Sequence, residues 1–271
     1  MSGAVTTDTD DLLAAALRAA TAGGAIVRDA LGTEPAAETK GTGDYVTEID
    51  RRSETEIKRV LADTGLPVLG EEEGGSRGER YWAVDPLDGT TNFLHGFPAV
   101  AVSIALVERE RPELGVVHAP FLEETYLAAP GSRPEVRRAG SDPRPLRVSD
   151  RSPERAIVGT GFPFRDKSLV PRYLEVFARC FGRFEDLRRP GAAALDLSWV
   201  AAGVFDGFFE LNLSPWDVAA GAALVRAAGG IVTDWEGHPA RWLDTGNILA
   251  GSPPVHEALL EICRSRKAGE G

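Results

Sequence analysis

The stretch Asp85-Pro86-Leu87-Asp88-Gly89-Thr90-Thr91-Asn92 decides how this sequence is interpreted. It follows the apolar segment Tyr81-Trp82-Ala83-Val84, which predicts a buried strand. Proline ends that strand and glycine permits a sharp turn, so two carboxylates emerge at one strand end. The two aspartates and the carbonyl oxygen between them are the oxygen ligands that Mg²⁺ prefers, and the N–H groups after the glycine suit a phosphate. A turn in which both aspartates only cap backbone amides remains an alternative.

Two further segments place acids at the ends of predicted elements. Gly70-Glu71-Glu72-Glu73 follows a short apolar strand, and Ser214-Pro215-Trp216-Asp217 opens a helix with serine as the N-cap. Taken alone, a glutamate run is typical of a solvated surface, and capping explains Asp217. Taken with the paired aspartates, Glu71 or Glu72 is placed to reach the same cation across adjacent strands.

Lys40, Asp44, Thr47 and Asp50 form a fourth group of polar residues. They lie where a glycine-containing segment without periodicity, residues 32–45, meets a helix that begins at about residue 47. We expect residues 32–45 to form a mobile loop. Its polar residues add a metal contact or steer phosphate in one interpretation, and a loop that ends in a capped helix explains them equally well.

The organisation of the chain indicates layered helices and sheets. Its 271 residues suffice for one domain or two tightly joined halves, and we place the boundary near residue 150, in an Arg- and Pro-rich stretch. We therefore expect one domain, residues 1–271, with halves at about 1–150 and 151–271. The predicted helices are 9–31, 47–62, 169–181, 193–202, 215–228 and 254–265. The predicted strands are 66–69, 81–84, 99–108, 114–119, 125–129, 156–160, 184–187, 207–211, 231–234 and 247–250.

The charge of the chain limits the classes of ligand. A formal net charge of -11 disfavours nucleic acid, whose binding depends on Lys and Arg displacing counterions. The same charge repels a phosphorylated small molecule unless bound cations reverse the sign locally. A phosphorylated substrate therefore requires metal ions in this protein.

Other chemistries and locations lack support in the sequence. The four histidines have no zinc spacing, and neither a nucleophile elbow nor a nucleotide-binding loop is present. Cys180 and Cys263 are interpreted as reduced core residues. The N-terminus does not resemble a secretory signal, and the longest apolar run, residues 98–107, is too short for a membrane helix. We expect a cytoplasmic protein that does not enter a membrane.

Several motifs together resemble the inositol monophosphatase family. They are Gly70-Glu71-Glu72, Asp85 to Phe93, and Trp216 to Gly221 with Ala228-Gly229-Gly230, and their order and separations match that family. Lys40 to Asp50 and Gly161-Phe162-Pro163-Phe164 also look like bacterial members. The resemblance implies a five-layered α-β-α-β-α sandwich that forms a homodimer. It also implies lithium-sensitive hydrolysis of a phosphate monoester with two or three Mg²⁺ ions.

The resemblance also implies roles for individual residues. The metal ligands are Glu71, Asp85, the carbonyl group of Leu87, Asp88 and Asp217. Glu71 and Thr90 orient the attacking water, and Asp50 lies near that water or a third metal ion. The substrate contacts are Asp88, Gly89, Thr90, Gly191, Ala192, Ala193 and Glu210, and Lys40 and Asp44 belong to a loop near the site.

Three functions remain open. The first is hydrolysis of inositol 1-phosphate by a metal-activated water with in-line attack. The second is hydrolysis of fructose 1,6-bisphosphate or another metabolite phosphate, because Ala192 replaces the hydroxyl residue that many family members have after the glycine. The third is a regulatory protein that acts through a partner contact at the Arg-rich stretches 133–151 and 188–189.

Overall fold

The computed structural model describes residues 8–32, 37–41 and 44–265. Within these residues no helix is both long and apolar enough to cross a membrane. The α-helices are α1 (Thr9–Asp29), α2 (Glu48–Leu61), α3 (Thr90–Leu94), α4 (Val170–Arg183), α5 (Ala193–Ala201), α6 (Pro215–Ala227), α7 (Trp242–Thr245) and α8 (Pro253–Arg264). The strands are β1 (Ala37–Gly41), β2 (Asp44–Thr47), β3 (Val68–Gly70), β4 (Arg80–Asp88), β5 (Ala101–Glu108), β6 (Arg111–Ala119), β7 (Glu124–Ala128), β8 (Glu135–Arg138), β9 (Arg144–Pro145), β10 (Ile157–Thr160), β11 (Asp186–Arg188), β12 (Gly207–Glu210), β13 (Ile231–Thr233) and β14 (Ile248–Gly251).

The larger sheet contains seven strands in the order β3-β4-β5-β6-β7-β8-β9. Side chains alternate between its two faces. Trp82 and Val84 of β4 join the core beneath α1 and α2, whereas Tyr81 and Ala83 join the core that contains α5 and α6. Asp85 continues the second series, so it points toward the layer that contains α6.

The smaller sheet has five strands in the order β11-β10-β12-β14-β13. Phe208 of β12 packs in the core shared with α5 and α6, and its neighbour Phe209 packs on the opposite face with Val176 of α4 and Leu259 of α8. The layers are therefore α1 and α2, the larger sheet, α5 and α6, the smaller sheet, and α4 and α8. This order confirms the five-layered sandwich.

Small residues bring α6 against the larger sheet. A Cβ atom on Gly115 of β6 would lie 2.4 Å from the carbonyl oxygen of Ala220, and a Cβ atom on Gly221 would lie 2.4 Å from the Cβ atom of Leu197 in α5. No larger side chain fits at either place. The close approach seats α6 on the sheet with Asp217, in its first turn, on the same side as Asp85.

The structure corrects several predicted elements. Residues 37–41 and 44–47 are not a loop but an antiparallel hairpin, with Thr39 paired to Tyr45. β-Branched and aromatic residues favour this pairing, and the glycine at residue 41 is the last residue of β1. β4 does not end before Asp85 but continues to Asp88, with an irregularity between the two aspartates. The Arg-rich stretch contributes β8 and β9, and α3 and α7 were not predicted.

The position of the boundary near residue 150 remains a prediction. The larger sheet ends at Pro145, and the smaller sheet begins, in chain order, at Ile157. The segment between the sheets is held by the buried carboxylate of Asp206, which accepts hydrogen bonds from Arg151 Nη1 at 2.7 Å and from the backbone N–H of Ile157 at 2.7 Å.

Candidate metal-binding active site

A cleft of about 380 Å³ opens where the two sheets and the central helices meet. Residues from the ends of β3, β4, β10 and β12 and from the starts of α3, α5 and α6 line it. The lining residues are Glu71, Asp85, Leu87, Asp88, Gly89, Thr90, Thr91, Asn92, Gly161, Phe162, Pro163, Phe164, Arg165, Arg189, Gly191, Ala193, Glu210, Leu211, Asn212, Leu213 and Asp217.

Three carboxylates converge in this cleft from distant parts of the chain. Glu71 follows β3, Asp85 lies in β4, and Asp217 lies in the first turn of α6. β3 and β4 are parallel neighbours with Gly70 opposite Val84, so Glu71 and Asp85 lie side by side. One oxygen from each of the three carboxylates lies within 4.8 Å of the others. This spacing suits ligands of one cation.

Crowding of buried acids gives the site its electrostatic character. Burial raises the pKa of Asp85 well above its usual value, and the nearby charges of Glu71, Asp88 and Asp217 add to the effect. Burial together with Asp217 raises the pKa of Asp88 to about 7. Asp85, Asp88 and Asp217 are 2%, 8% and 4% exposed. A divalent cation relieves the repulsion among such groups, and the donors are all oxygen, which Mg²⁺ prefers.

Backbone hydrogen bonds fix the orientation of each aspartate. Asp85 Oδ1 accepts from the N–H of Leu87 at 2.9 Å, and Asp88 Oδ2 accepts from the N–H of Ala194 at 2.8 Å, at the start of α5. Asp217 Oδ2 accepts from the N–H of Ser214 at 2.7 Å as part of a capping box. The acids that face the cleft therefore also organise the starts of both central helices.

The loop that carries Glu71 is held by a different glutamate, Glu54 of α2. Its fully buried carboxylate accepts hydrogen bonds from the N–H groups of Glu72 at 2.7 Å and Glu73 at 3.1 Å, and pairs with Lys58 at 2.6 Å. A Cβ atom on Gly70 would clash with this carboxylate at 2.2 Å. The glutamate run is thus a positioned loop and not simply a solvated surface.

Asp50 lies beneath the cleft and reaches it only through Thr90. It is 1% exposed, and burial raises its pKa although Thr47 and Thr90 donate hydrogen bonds to it. Thr90 Oγ1 lies 3.0 Å from Asp50 Oδ1 and 3.1 Å from the carbonyl oxygen of Leu87. This arrangement fixes the Thr90 hydroxyl between the acid and the carbonyl group expected to bind metal.

The expected substrate contacts are only partly brought together. Gly191, Ala193 and Glu210 line the cleft, whereas Ala192 is 1% exposed and belongs to the core, and the expected substrate contact at Ala192 stays a prediction. The chain turns at Gly191 with φ of +90°, which directs the next side chain inward against Gly89. Burial and the charge of Asp217 raise the pKa of Glu210 to about 8.

Two arginines in the cleft were not predicted as site residues. Arg165 Nη1 lies 3.1 Å from Asp217 Oδ2, and Arg165 Nη2 lies 3.7 Å from Glu71 Oε1. Arg189 lies over the rings of Phe162 and Phe164. The signal for Arg165 was its place directly after Gly161-Phe162-Pro163-Phe164, but a single arginine in a loop is ordinary in sequence.

The remaining predicted residues, Lys40 and Asp44, lie on β1 and β2 and not in a loop. Their side chains fall outside the described part of the structure, so their proposed contacts with metal or phosphate stay predictions.

The layered architecture and the carboxylates at adjacent strand ends define a phosphatase-type fold. The model of the inositol monophosphatase family matches residues 8–268, and the chain belongs to that family. Nus factor SuhB of Pseudomonas aeruginosa is 46% identical over 231 residues, which are 82% of this chain and 83% of that protein.

Solved structures agree with the sequence relatives. The extragenic suppressor protein suhB of Bartonella henselae superposes with a TM-score of 0.85 at 36% identity, covering 94% of this chain and 98% of that one. An IMPase from Thermotoga maritima superposes with a TM-score of 0.83 at 33% identity, covering 93% and 96%. These likenesses confirm the family resemblance and the fold.

Proposed function

We propose that this protein is a Mg²⁺-dependent phosphatase that hydrolyses phosphate monoesters, with inositol 1-phosphate as its first candidate substrate. The observation that carries this proposal is the convergence of Glu71, Asp85 and Asp217, whose oxygens lie within 4.8 Å of one another in an open cleft. Two buried acids, Asp85 and Asp217, and the partly buried Glu71 at this spacing destabilise the fold unless a cation neutralises them.

The residues present fit magnesium. Carboxylate and carbonyl oxygens are its preferred ligands, and five such groups are available in Glu71, Asp85, the Leu87 carbonyl, Asp88 and Asp217. These groups would hold magnesium ions, whose chemistry would be to activate a water molecule and to neutralise charge on the phosphate and the leaving oxygen. Two or three ions are expected from the family resemblance.

The chain's own residues orient the reaction. The Thr90 hydroxyl donates to Asp50 Oδ1, so its oxygen lone pairs remain available to accept from a water molecule in the cleft, which Glu71 also lines. Thr90 and Glu71 then hold the attacking water. Asp88 binds the first turn of α5 and so keeps Gly191 and Ala193, on the substrate side, in a fixed relation to the acids.

Substrate hydroxyl groups are assigned to Glu210. Its carboxyl group lines the cleft, and a pKa raised to about 8 lets it donate as well as accept a hydrogen bond at neutral pH. A cyclitol or a sugar supplies suitable hydroxyl groups. Fructose 1,6-bisphosphate or another metabolite phosphate is the alternative substrate, since Gly191 and the buried Ala192 leave this wall without a hydroxyl side chain.

The test is phosphate release from inositol 1-phosphate, fructose 1,6-bisphosphate, histidinol phosphate and adenosine bisphosphate, with Mg²⁺, with EDTA and with added Li⁺. We expect Mg²⁺-dependent, lithium-inhibited turnover that Asp85→Asn abolishes. The exposed residue Asp142 lies outside the cleft lining, so Asp142→Asn is the matched control and should retain full activity. Equal turnover by Asp85→Asn and Asp142→Asn would remove the metal site from the mechanism. Oligomeric state is measured on the same samples, with a homodimer expected.

A second candidate function is that of a Nus factor, because similar proteins of 41–46% identity carry that name. The net charge led us to expect that nucleic acid is an unlikely partner. A role as a Nus factor would revise that expectation. Three arginines of the stretch 133–151 are engaged within the chain: Arg137 with Glu135, Arg138 with Glu124 and Arg151 with Asp206, each at 2.7 Å. Their intramolecular pairing weakens the suggestion that this stretch is the partner surface.

Complementation of a deletion strain distinguishes the two candidate functions. If the phenotype of deleting the gene is restored equally by the wild type and by Asp85→Asn, the cellular role does not need the metal site. If only the wild type and Asp142→Asn restore it, hydrolysis is the cellular role.

A further inference from the structure

Arg189 is held in an aromatic cradle at the mouth of the cleft. Its guanidinium carbon lies 5.2 Å from the ring centre of Phe162 and 5.3 Å from that of Phe164. The two rings meet edge to face at 5.7 Å, and Phe162 packs edge to face on Tyr173, which is 1% exposed. A cation over aromatic faces is attracted by their ring quadrupoles. Arg189 is therefore pre-positioned, although its side chain is exposed.

The cradle places Arg189 on the substrate side of the cleft. A Cβ atom on Gly191 would lie 2.7 Å from Arg189 Nη1 and 3.5 Å from Asn92 Nδ2, so the missing side chain of Gly191 makes room for the guanidinium. Asn92 Nδ2 in turn lies beside Gly89, the expected phosphate contact. The guanidinium therefore lies on the same wall of the cleft as Gly89, the expected phosphate contact.

Arg165 and Arg189 are the only basic side chains among the described residues that line the cleft. Arg165 pairs with Asp217 and Glu71 at the metal end. Arg189 makes no hydrogen bond or ion pair with any residue that the structure describes, and it acts on Glu210 only through its charge, which lowers that group's pKa. A guanidinium with its donors unused, exposed to a cleft, is suited to bind an anion.

We infer that Arg189 is a specificity-determining residue that binds a second phosphate group on the substrate. The inference rests on the proposed phosphatase function and extends it to bisphosphates, in which one phosphate reacts at the acids and the other binds Arg189. A planar guanidinium binds phosphate through two parallel hydrogen bonds, and its aromatic support reduces the entropy lost on binding. A monophosphate substrate gains little binding energy from Arg189, because its hydroxyl groups already form hydrogen bonds with Glu210 in the proposed function.

The experiment compares two substrates that differ only in the second phosphate, fructose 1-phosphate and fructose 1,6-bisphosphate. kcat and KM are measured with Mg²⁺ for the wild type, Arg189→Ala, Arg189→Lys and Arg188→Ala. Arg188 is the matched control, because it is an exposed neighbour that pairs with Asp186 at 2.5 Å and does not line the cleft. Molar mass in solution is recorded for every variant.

We expect Arg189→Ala to lower the ratio of kcat/KM for the bisphosphate to that for the monophosphate by about 10- to 100-fold, through KM. Arg189→Lys should retain part of the preference, and Arg188→Ala all of it. An unchanged ratio, or an equal loss for both substrates, overturns the inference. If Arg189→Ala changes the molar mass but leaves the kcat/KM ratio unchanged, the inference is also overturned. Arg189 is then assigned to a contact with a second copy of the chain.

Failure of the proposed function is distinguishable from failure of this inference. If the wild type releases phosphate neither from these two substrates nor from inositol 1-phosphate, the phosphatase proposal fails. Titration calorimetry of fructose 1,6-bisphosphate into the wild type and Arg189→Ala then decides the role of Arg189. Binding weaker by about 10-fold or more in the variant supports the anion site, and equal binding overturns it.

Discussion

Replacing Asp85 by asparagine should stabilise the metal-free protein while greatly reducing its stabilisation by magnesium. The amide is nearly isosteric, and its oxygen still accepts the hydrogen bond from the N–H of Leu87. The change therefore removes one charge from a cluster of acids and little else. Asp85 is 2% exposed, so solvent screens that charge poorly.

The structure sets the size of the effect. At 4.8 Å, two like charges repel by about 3.5 kcal/mol at an effective dielectric constant of about 20. Asp85 has two such neighbours, Glu71 and Asp217. The electrostatic cost of keeping Asp85 charged cannot exceed the cost of protonating it. At pH 7 that cost is about 4 kcal/mol, because pH 7 is about three units above the ordinary pKa of aspartate and each unit corresponds to about 1.4 kcal/mol. We expect Asp85→Asn to raise the free energy of unfolding by roughly 2 to 4 kcal/mol and Tm by roughly 5 to 15 °C in EDTA.

The pH dependence has a definite sign. The pKa of Asp85 is raised in the folded state, so the folded protein binds more protons than the unfolded chain above pH 4, and stability falls as pH rises. The difference between the variant and the wild type should therefore be small near pH 4 and grow toward pH 8.

Thermal unfolding followed by circular dichroism, in EDTA and in Mg²⁺, measures both halves of the prediction. Magnesium at about 100 times its Kd should stabilise the wild type by about 2.7 kcal/mol and the variant by far less. Asp142→Asn, with its exposed side chain, should behave as the wild type in both conditions. A variant that melts at or below the wild-type temperature in EDTA at pH 8, or that gains as much from Mg²⁺, would refute the electrostatic reasoning.

Three further expectations follow from the same geometry. Arg165→Gln should tighten metal binding several-fold, measured by Mn²⁺ titration with electron paramagnetic resonance, because a cation no longer competes with the ion pair to Asp217; equal affinity would contradict this. Thr90→Val should lower kcat by roughly 10- to 100-fold while Thr90→Ser retains most of it, since only the hydroxyl links Asp50 to the cleft. Gly115→Ala should destabilise the protein by about 1 to 3 kcal/mol in urea unfolding, whereas Gly182→Ala, in open space on α4, should stabilise it slightly.

The sequence predicted the elements that carry strong local signals. The apolar segment before Asp85 predicted a buried strand, and Ser-Pro before Trp216 predicted the start of α6, because both signals depend on neighbouring residues alone. The layered architecture followed from the alternation of helices and strands in the second half together with the resemblance to a known family. The convergence of Glu71, Asp85 and Asp217 required the family resemblance, since capping by itself was the favoured explanation of Asp217.

What could not be predicted depends on contacts distant in sequence. Whether Ala192 faces the cleft or the core is decided by the left-handed turn at Gly191, which glycine permits but does not require. Whether Arg165 and Arg189 reach the cleft depends on the positions of the segments that follow β10 and β11. Likewise, the hairpin of β1 and β2 places strands where glycine spacing predicted a loop.

The capping and metal-binding interpretations of these aspartates are not alternatives. Asp85 binds the backbone of its own turn, Asp88 binds the start of α5, and Asp217 closes the capping box of α6, yet all three line one cleft. A carboxylate has two oxygens and several lone pairs, so a backbone N–H that binds one of them leaves capacity for a cation. The hydrogen bonds fix the direction of each carboxylate before a metal arrives, and this lowers the entropy that the site loses on binding. An aspartate at a helix start is therefore a candidate metal ligand when a neighbouring strand directs a second carboxylate toward it. Asp85 is such a carboxylate, because side chains alternate between the two faces along its strand.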